Sequence, residues 1–143
     1  MACAKYRLAP ISGLAYIITA MPFAVLFDDA FAAEFRQLAE DVQDQIRAYA
    51  LVLAELGHQL GRPWVGTLKG SKFPNMKELR PTVNKVEWRV AFAFDAERKA
   101  ILLAAAAKGG KKDAVVYKRL ITTADERFAV HRARLNKPRQ KGR

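Results

Sequence analysis

Glu78 and Arg80 alternate in MKELR (76–80), and Arg89 alternates with Ala91 and Ala93 in EWRVAFAFD (87–95). Side chains two apart on a strand share a face, so these charges are expected on the small-residue side of neighbouring strands. Cations gathered over alanines leave room and field for a phosphate backbone. The loops around them add Lys69, Lys72, Lys108, Lys111 and Lys112. Such a set suits cleavage of RNA by its own 2′-hydroxyl, which needs a base, a cation for the charge on the phosphorane and an acid for the departing 5′ oxygen. Arginine meets the second need through its fixed fork of donors. A lysine crowded by other cations can have its pKa drawn toward working pH and move protons. Tyr117 offers a hydroxyl or a ring for stacking, although it shares the apolar stripe of its helix. The alternative is structural: Arg80 spends its donors on Glu78 or Glu87, and the lysines are solvated loop residues.

Other chemistries find little support. His58 and His131 have no cysteine, histidine or carboxylate cluster at ligand spacing, so no metal site is expected. Neither G-x-x-x-x-G-K-[ST], G-x-G-x-x-G nor G-x-S-x-G occurs, and no cofactor is expected. A single cysteine, Cys3, excludes an internal disulfide framework and fits a reducing, intracellular compartment.

Charge separates along the 143-residue chain, whose formal net charge is +11. Residues 21–60 carry two bases against seven acids, and residues 61–143 carry twenty-one bases against seven. The second half is therefore the expected contact with a polyanion. Leu8 to Phe27 is free of charge, but Pro10, Ser12, Gly13, Thr19 and Pro22 interrupt any apolar helix. Residues 1–20 are read as a loose extension, with Met21 a candidate true start, and 136–143 (NKPRQKGR) as a basic disordered tail.

Between them, 21–135 reads as one domain. A strand at Phe23–Phe27 meets an N-cap at Asp28, and Phe31, Phe35 and Leu38 follow at helical spacing. A second helix runs over 40–56, its stripe being Val42, Ile46, Tyr49, Ala50, Leu53 and Leu56, with Gly57 as its stop. Strands are expected at 76–80, 86–94 and 100–107, TVNK (82–85) as a turn, and a last helix over 114–135. The order β-α-α-β-β-β-α predicts an α+β fold, a small antiparallel sheet with one face on the helices and the other partly open.

LGRPWVGTLKGSKFPNMKELRP, then WRVAFAFD, RKAILL, Lys108 and YKRLITTADERF, in that order from about Met21 to Leu135, resemble the HigB-type branch of the RelE/ParE toxin superfamily. More narrowly they are similar to its phage-derived, Gp-type group. The resemblance implies a microbial-RNase-like fold and a cytoplasmic toxin held in check by a helix-turn-helix antitoxin. It also implies metal-independent cleavage of mRNA on the ribosome. Family basic positions fall on Lys69, Arg80, Arg89 and Lys108. The expected roles are phosphate and transition-state stabilisation by Arg80 and Arg89, and proton transfer by Lys108 or Lys69. Lys72, Lys77, Lys111, Lys112 and Tyr117 are expected to hold the RNA. The chain departs from the family in having AAAAK where Gly-Gly-Asp often precedes the lysine, and Val116 where tryptophan often precedes the tyrosine. A ParE-like gyrase inhibitor and an inactive basic binding module are the competing readings.

Overall fold

A computed structural model describes residues 22–109 and 113–137 in full, together with the strand backbone of 7–11 and 15–19. The segment before Met21, expected as an extension, contributes β1 (Arg7–Ile11) and β2 (Ala15–Thr19), which pair antiparallel. β3 (Val25–Phe27) runs into α1 (Asp29–Phe35), where the Asp28 carboxylate accepts the Phe31 amide at 3.1 Å as an N-cap. α2 (Glu40–Leu56) buries Val42, Ile46, Ala50 and Leu53 along one stripe. Leu56, expected on that stripe, is instead among the exposed large apolar residues. Short strands β4 (Val65–Thr67), β5 (Lys77–Leu79) and β6 (Thr82–Val83) precede the long hairpin of β7 (Val86–Phe94) and β8 (Ala100–Lys108), and α3 (Asp113–Asn136) ends the described chain. The expected turn at TVNK is half strand. Only Asn84 and Lys85, both at positive φ, make the two-residue reversal between β6 and β7.

The strands order as β1-β2-β3-β8-β7-β5-β4, with β6 also on β7. The class is α+β, consistent with the RelE-like fold that the resemblance implies. The sheet is mixed rather than purely antiparallel, because β3 pairs parallel with β8. A parallel pair needs a long crossover, and α1, α2 and β4 to β7 all lie between those two strands in the chain. Each face of the sheet carries its own core. Phe27, Phe31, Phe35, Ile46, Leu53, Val90 and Phe92 pack with α1 and α2 on one side. Ala91, Ala93, Ile101, Leu103, Leu120, Ala124 and Phe128 pack under α3 on the other.

This second core corrects the expectation of an open alanine floor. Ala91 and Ala93 are fully buried. Their small size lets the backbone of α3 come close, and burial of Leu120 and Phe128, at about 2 kcal/mol each, holds the helix down. Arg127 ties α3 further, its guanidinium bidentate to Glu34 of α1 and bonded to the Leu103 carbonyl at 2.8 Å.

Gly57 ends α2 at φ +59°, and a Cβ there would meet the Phe23 ring at 2.3 to 2.5 Å. Gly57→Ala is expected to cost about 2 kcal/mol or more from the backbone conformation and the clash together, read as a shifted midpoint in denaturant unfolding.

Candidate functional site

Pairing in the sheet builds the site. Gly66 of β4 stands opposite Glu78 of β5, Glu78 opposite Ala91 of β7, and Ala91 opposite Ala104 of β8. Arg89, two residues before Ala91, shares that face, and Arg80, two after Glu78, continues the β5 alternation. The side chains of Arg80 and Arg89 meet at Glu78, which is only 2% exposed. Arg80 Nη1 donates to Glu78 Oε2 at 2.5 Å, Arg89 Nε lies 3.7 Å from the same oxygen, and the Tyr117 hydroxyl of α3 donates to Oε1. Arg89 also donates through Nη2 to Glu87 at 2.7 Å and through Nη1 to the Trp88 carbonyl at 2.8 Å. Among the described residues no buried side-chain nitrogen or oxygen lacks a partner. That is the condition under which pairing and hydrogen bonds offset the desolvation cost of ions beneath a helix.

The charges act on one another. The Glu87 carboxyl is held below its ordinary range, first by the hydrogen bond from Arg89, then by the fields of Arg89 and of Lys108 across the β7–β8 ladder. Burial, and after it the bond to the Glu78 carboxylate, pushes Tyr117 up to about 12, so its hydroxyl stays protonated and donates at neutral pH. Since the folded-state pKa lies above the free value of 10.0, this contribution to stability is whole below pH 10 and is lost as pH rises toward 12. In unfolding titrations over that window, wild type is expected to lose more stability than Tyr117→Phe, whose missing hydroxyl removes the linkage.

The expected residues separate into groups. Arg80, Arg89 and Tyr117 converge on Glu78, and Lys108 is exposed at the end of β8, opposite Glu87. Arg89, expected on an accessible floor, is instead 2% exposed, because α3 covers that face and its donors point to protein acceptors. The structural alternative for Arg80, pairing with Glu78, is realised through one nitrogen, yet its side chain keeps 23% exposure. Lys77, expected to hold RNA, belongs to the opposite face: it pairs with Phe92 and lines a cleft with Phe23, His58 and Phe94. One residue of strand separates it from Glu78, and that reverses its direction. Lys69 and Lys72 are exposed on the loop after β4, whereas Lys111 and Lys112 lie outside the described residues.

Sequence reasoning missed three contributors. Asp125, 7% exposed, accepts Ser71 Oγ at 2.5 Å and the Lys72 amide at 2.9 Å, fixing the KGSKF loop against α3. Between that loop and α3 runs a groove of about 680 Å³ lined by Gly70, Lys72, Phe73, Tyr117 and Ile121, so Tyr117 borders both groove and charge cluster. Gly66 and Arg62 are the others. A Cβ on Gly66 would lie 3.4 Å from Arg62 Nη2, 3.4 Å from Glu78 Oε2 and 3.5 Å from Arg80 Nη1. An aspartate on an otherwise apolar helix stripe was the one available signal for Asp125. For Arg62, in a loop, there was none.

Comparison with known proteins places this arrangement. The family described as "Phage derived protein Gp49-like" matches residues 33–129, which takes in Arg62, Gly66, Glu78, Arg80, Arg89, Lys108 and Tyr117. The chain is 40% identical over 116 residues to "Putative toxin HigB2" of Mycobacterium tuberculosis, covering 80% of this chain and 57% of that protein. It is 41% identical over 76 residues to "Putative toxin HigB3" of the same organism, covering 53% of this chain and 65% of that protein. The chain thus spans less than two thirds of the length of the curated relatives it matches. With most of the domain and the whole charge cluster inside the matched region, the chain belongs to the phage-derived Gp49-like family and is HigB-like within it.

Proposed function

We propose that this chain is the toxin of a type II toxin–antitoxin system, acting in the cytoplasm as a ribosome-dependent mRNA endonuclease and neutralised by a helix-turn-helix antitoxin. The observation that carries the reading is Arg80: a guanidinium anchored by one nitrogen to a buried carboxylate, with its remaining donors uncommitted at the surface, in a chain related to HigB toxins. Among the described residues no helix is long and apolar enough to cross a membrane.

In the proposed reaction the RNA 2′-oxygen bonds to the adjacent phosphorus, the bond from phosphorus to the 5′ oxygen breaks, and a 2′,3′-cyclic phosphate and a 5′-hydroxyl remain. Arg80 holds the non-bridging oxygens as charge grows on them, where a fixed donor is worth most. Arg89 is a positioning residue: buried, it fixes Glu78 and Glu87 and thereby the direction of Arg80. Lys108 takes the 2′ proton, with Lys69 the second choice, and a proton returns to the 5′ oxygen. Tyr117, protonated well above neutral pH, serves as a hydrogen-bond donor on this site rather than as the base.

In a reconstituted translation reaction, the chain is expected to truncate mRNA when ribosomes are present and to leave it intact when they are absent. Intact mRNA in both, accompanied by loss of gyrase supercoiling, would replace the nuclease by a gyrase inhibitor. Intact mRNA without that loss would leave a binding module.

A further inference from the structure

We propose that Arg62 and Arg80 form a two-guanidinium clamp over Gly66 that grips a backbone phosphate of the RNA strand. The proposal deepens the nuclease reading, since it supplies a subsite for its substrate, and it rests on that reading for the choice of RNA as the polyanion.

The geometry begins with a missing side chain. Arg62 Nη2, Arg80 Nη1 and Glu78 Oε2 all lie within 3.4 to 3.5 Å of the point where a Cβ of residue 66 would stand. Gly66 lies buried in β4, which ends the strand order, so the two guanidiniums lie over it at a sheet edge. Without a side chain at residue 66 both guanidiniums can lie against the strand, and a branched side chain there would push into them.

The charge balance at that point is incomplete. Glu78 is the one carboxylate there, and it already serves Arg80, Arg89 and Tyr117. Arg62 makes no hydrogen bond or ion pair with any described residue, yet its guanidinium rests beside that of Arg80. Arg80 commits Nη1 to Glu78, and its Nε and Nη2 have no protein acceptor among the described residues. Two forks with open donors therefore lie over one strand, and the single Glu78 carboxylate near them is already shared with Arg89 and Tyr117. A phosphate fits on three grounds: it carries the missing charge, its tetrahedral oxygens accept from both forks at once, and guanidinium–phosphate pairs are short and charge-assisted. Arg89, buried, cannot join the grip, whereas exposed Lys108 lies at the Glu87 end of the same face and can contact the next part of a bound strand.

The test uses the full chain and a short single-stranded RNA with 2′-O-methyl riboses, which binds without being cleaved, followed by fluorescence anisotropy over a series of salt concentrations. Arg62→Ala is expected to weaken binding about tenfold and to reduce the slope of log affinity against log salt by about 0.7, the share of one phosphate contact on a single strand. Gly66→Val, whose branched side chain would displace both guanidiniums from a strand position, is expected to weaken binding to a similar degree, with a thermal melt confirming that it folds. Wild-type affinity and slope in folded Arg62→Ala would overturn the clamp, and so would wild-type protein that fails to bind the strand at all. The same preparations go into the ribosome assay. Binding that depends on Arg62, in a protein that truncates no mRNA, would leave the clamp standing and remove the nuclease reading. Cleavage by wild type with binding indifferent to Arg62 would do the reverse.

Discussion

Arg80→Ala is expected to lower ribosome-dependent mRNA cleavage by about a hundredfold or more and to relieve growth arrest on expression, while the protein remains folded. The size follows from the task given to this guanidinium: removal of one donor aimed at a developing oxyanion costs roughly 10²–10³ in rate in comparable sites. The intact fold follows from its position. Arg80 is partly exposed, and without it Glu78 keeps the Tyr117 hydroxyl and the nearby Arg89. Arg80→Lys keeps the charge but loses the fork, so it is expected to recover only part of the rate. Cleavage assays on purified variants, with thermal melts alongside, check both halves. Full toxicity in a folded Arg80→Ala protein would remove Arg80 from the site.

Arg89→Ala is expected to behave differently, although both arginines reach the same carboxylate. Arg89 is 2% exposed and Glu78 equally so. Deleting one member of a buried pair leaves the other charged and poorly solvated, at a cost of about 3–5 kcal/mol. In a domain of this size that corresponds to a fall in Tm on the order of 10 °C. Glu78→Ala is expected to cost a similar amount, since it leaves Arg89 facing Glu87 alone at the surface end of the cluster. Loss of toxicity in either variant would therefore report a weakened fold and not a missing catalytic group. Replacing both residues by methionine separates the two effects: stability is expected to return toward wild type, because a volume-matched apolar pair has no charge to desolvate, while activity stays lost. An Arg89→Ala protein that melts within about 1 kcal/mol of wild type would show that the buried pair does not hold this face together.

Local pattern read well where one rule acted alone. α2 begins and ends where the acids of its first turn and Gly57 put it, β7 spans the alternating run, and the last helix carries the stripe of Ala124 and Phe128. Reading failed where a second element decided. Alternation places Ala91, Ala93 and Arg89 together, but it does not say whether that face meets water or a helix. The same small side chains suit an open floor and a close helix seat. Lys77, expected to hold RNA with the other loop and strand-end bases, faces away from the cluster, because a shift of one position along a pleat turns the side chain over.

The sequence by itself determined the periodicities, the separation of acidic and basic halves, the α+β class and the likeness to HigB-type toxins, because each of these depends on neighbouring residues or on their order. Tertiary structure alone decided which charges became buried partners and which stayed available. That choice turns on α3 folding back over a strand 39 positions earlier, so Tyr117 closes over Glu78, Arg89 disappears beneath it and Arg80 is left at the edge with Arg62. Desolvation is set by what covers a group in space, a long-range property that spacing along the chain does not encode.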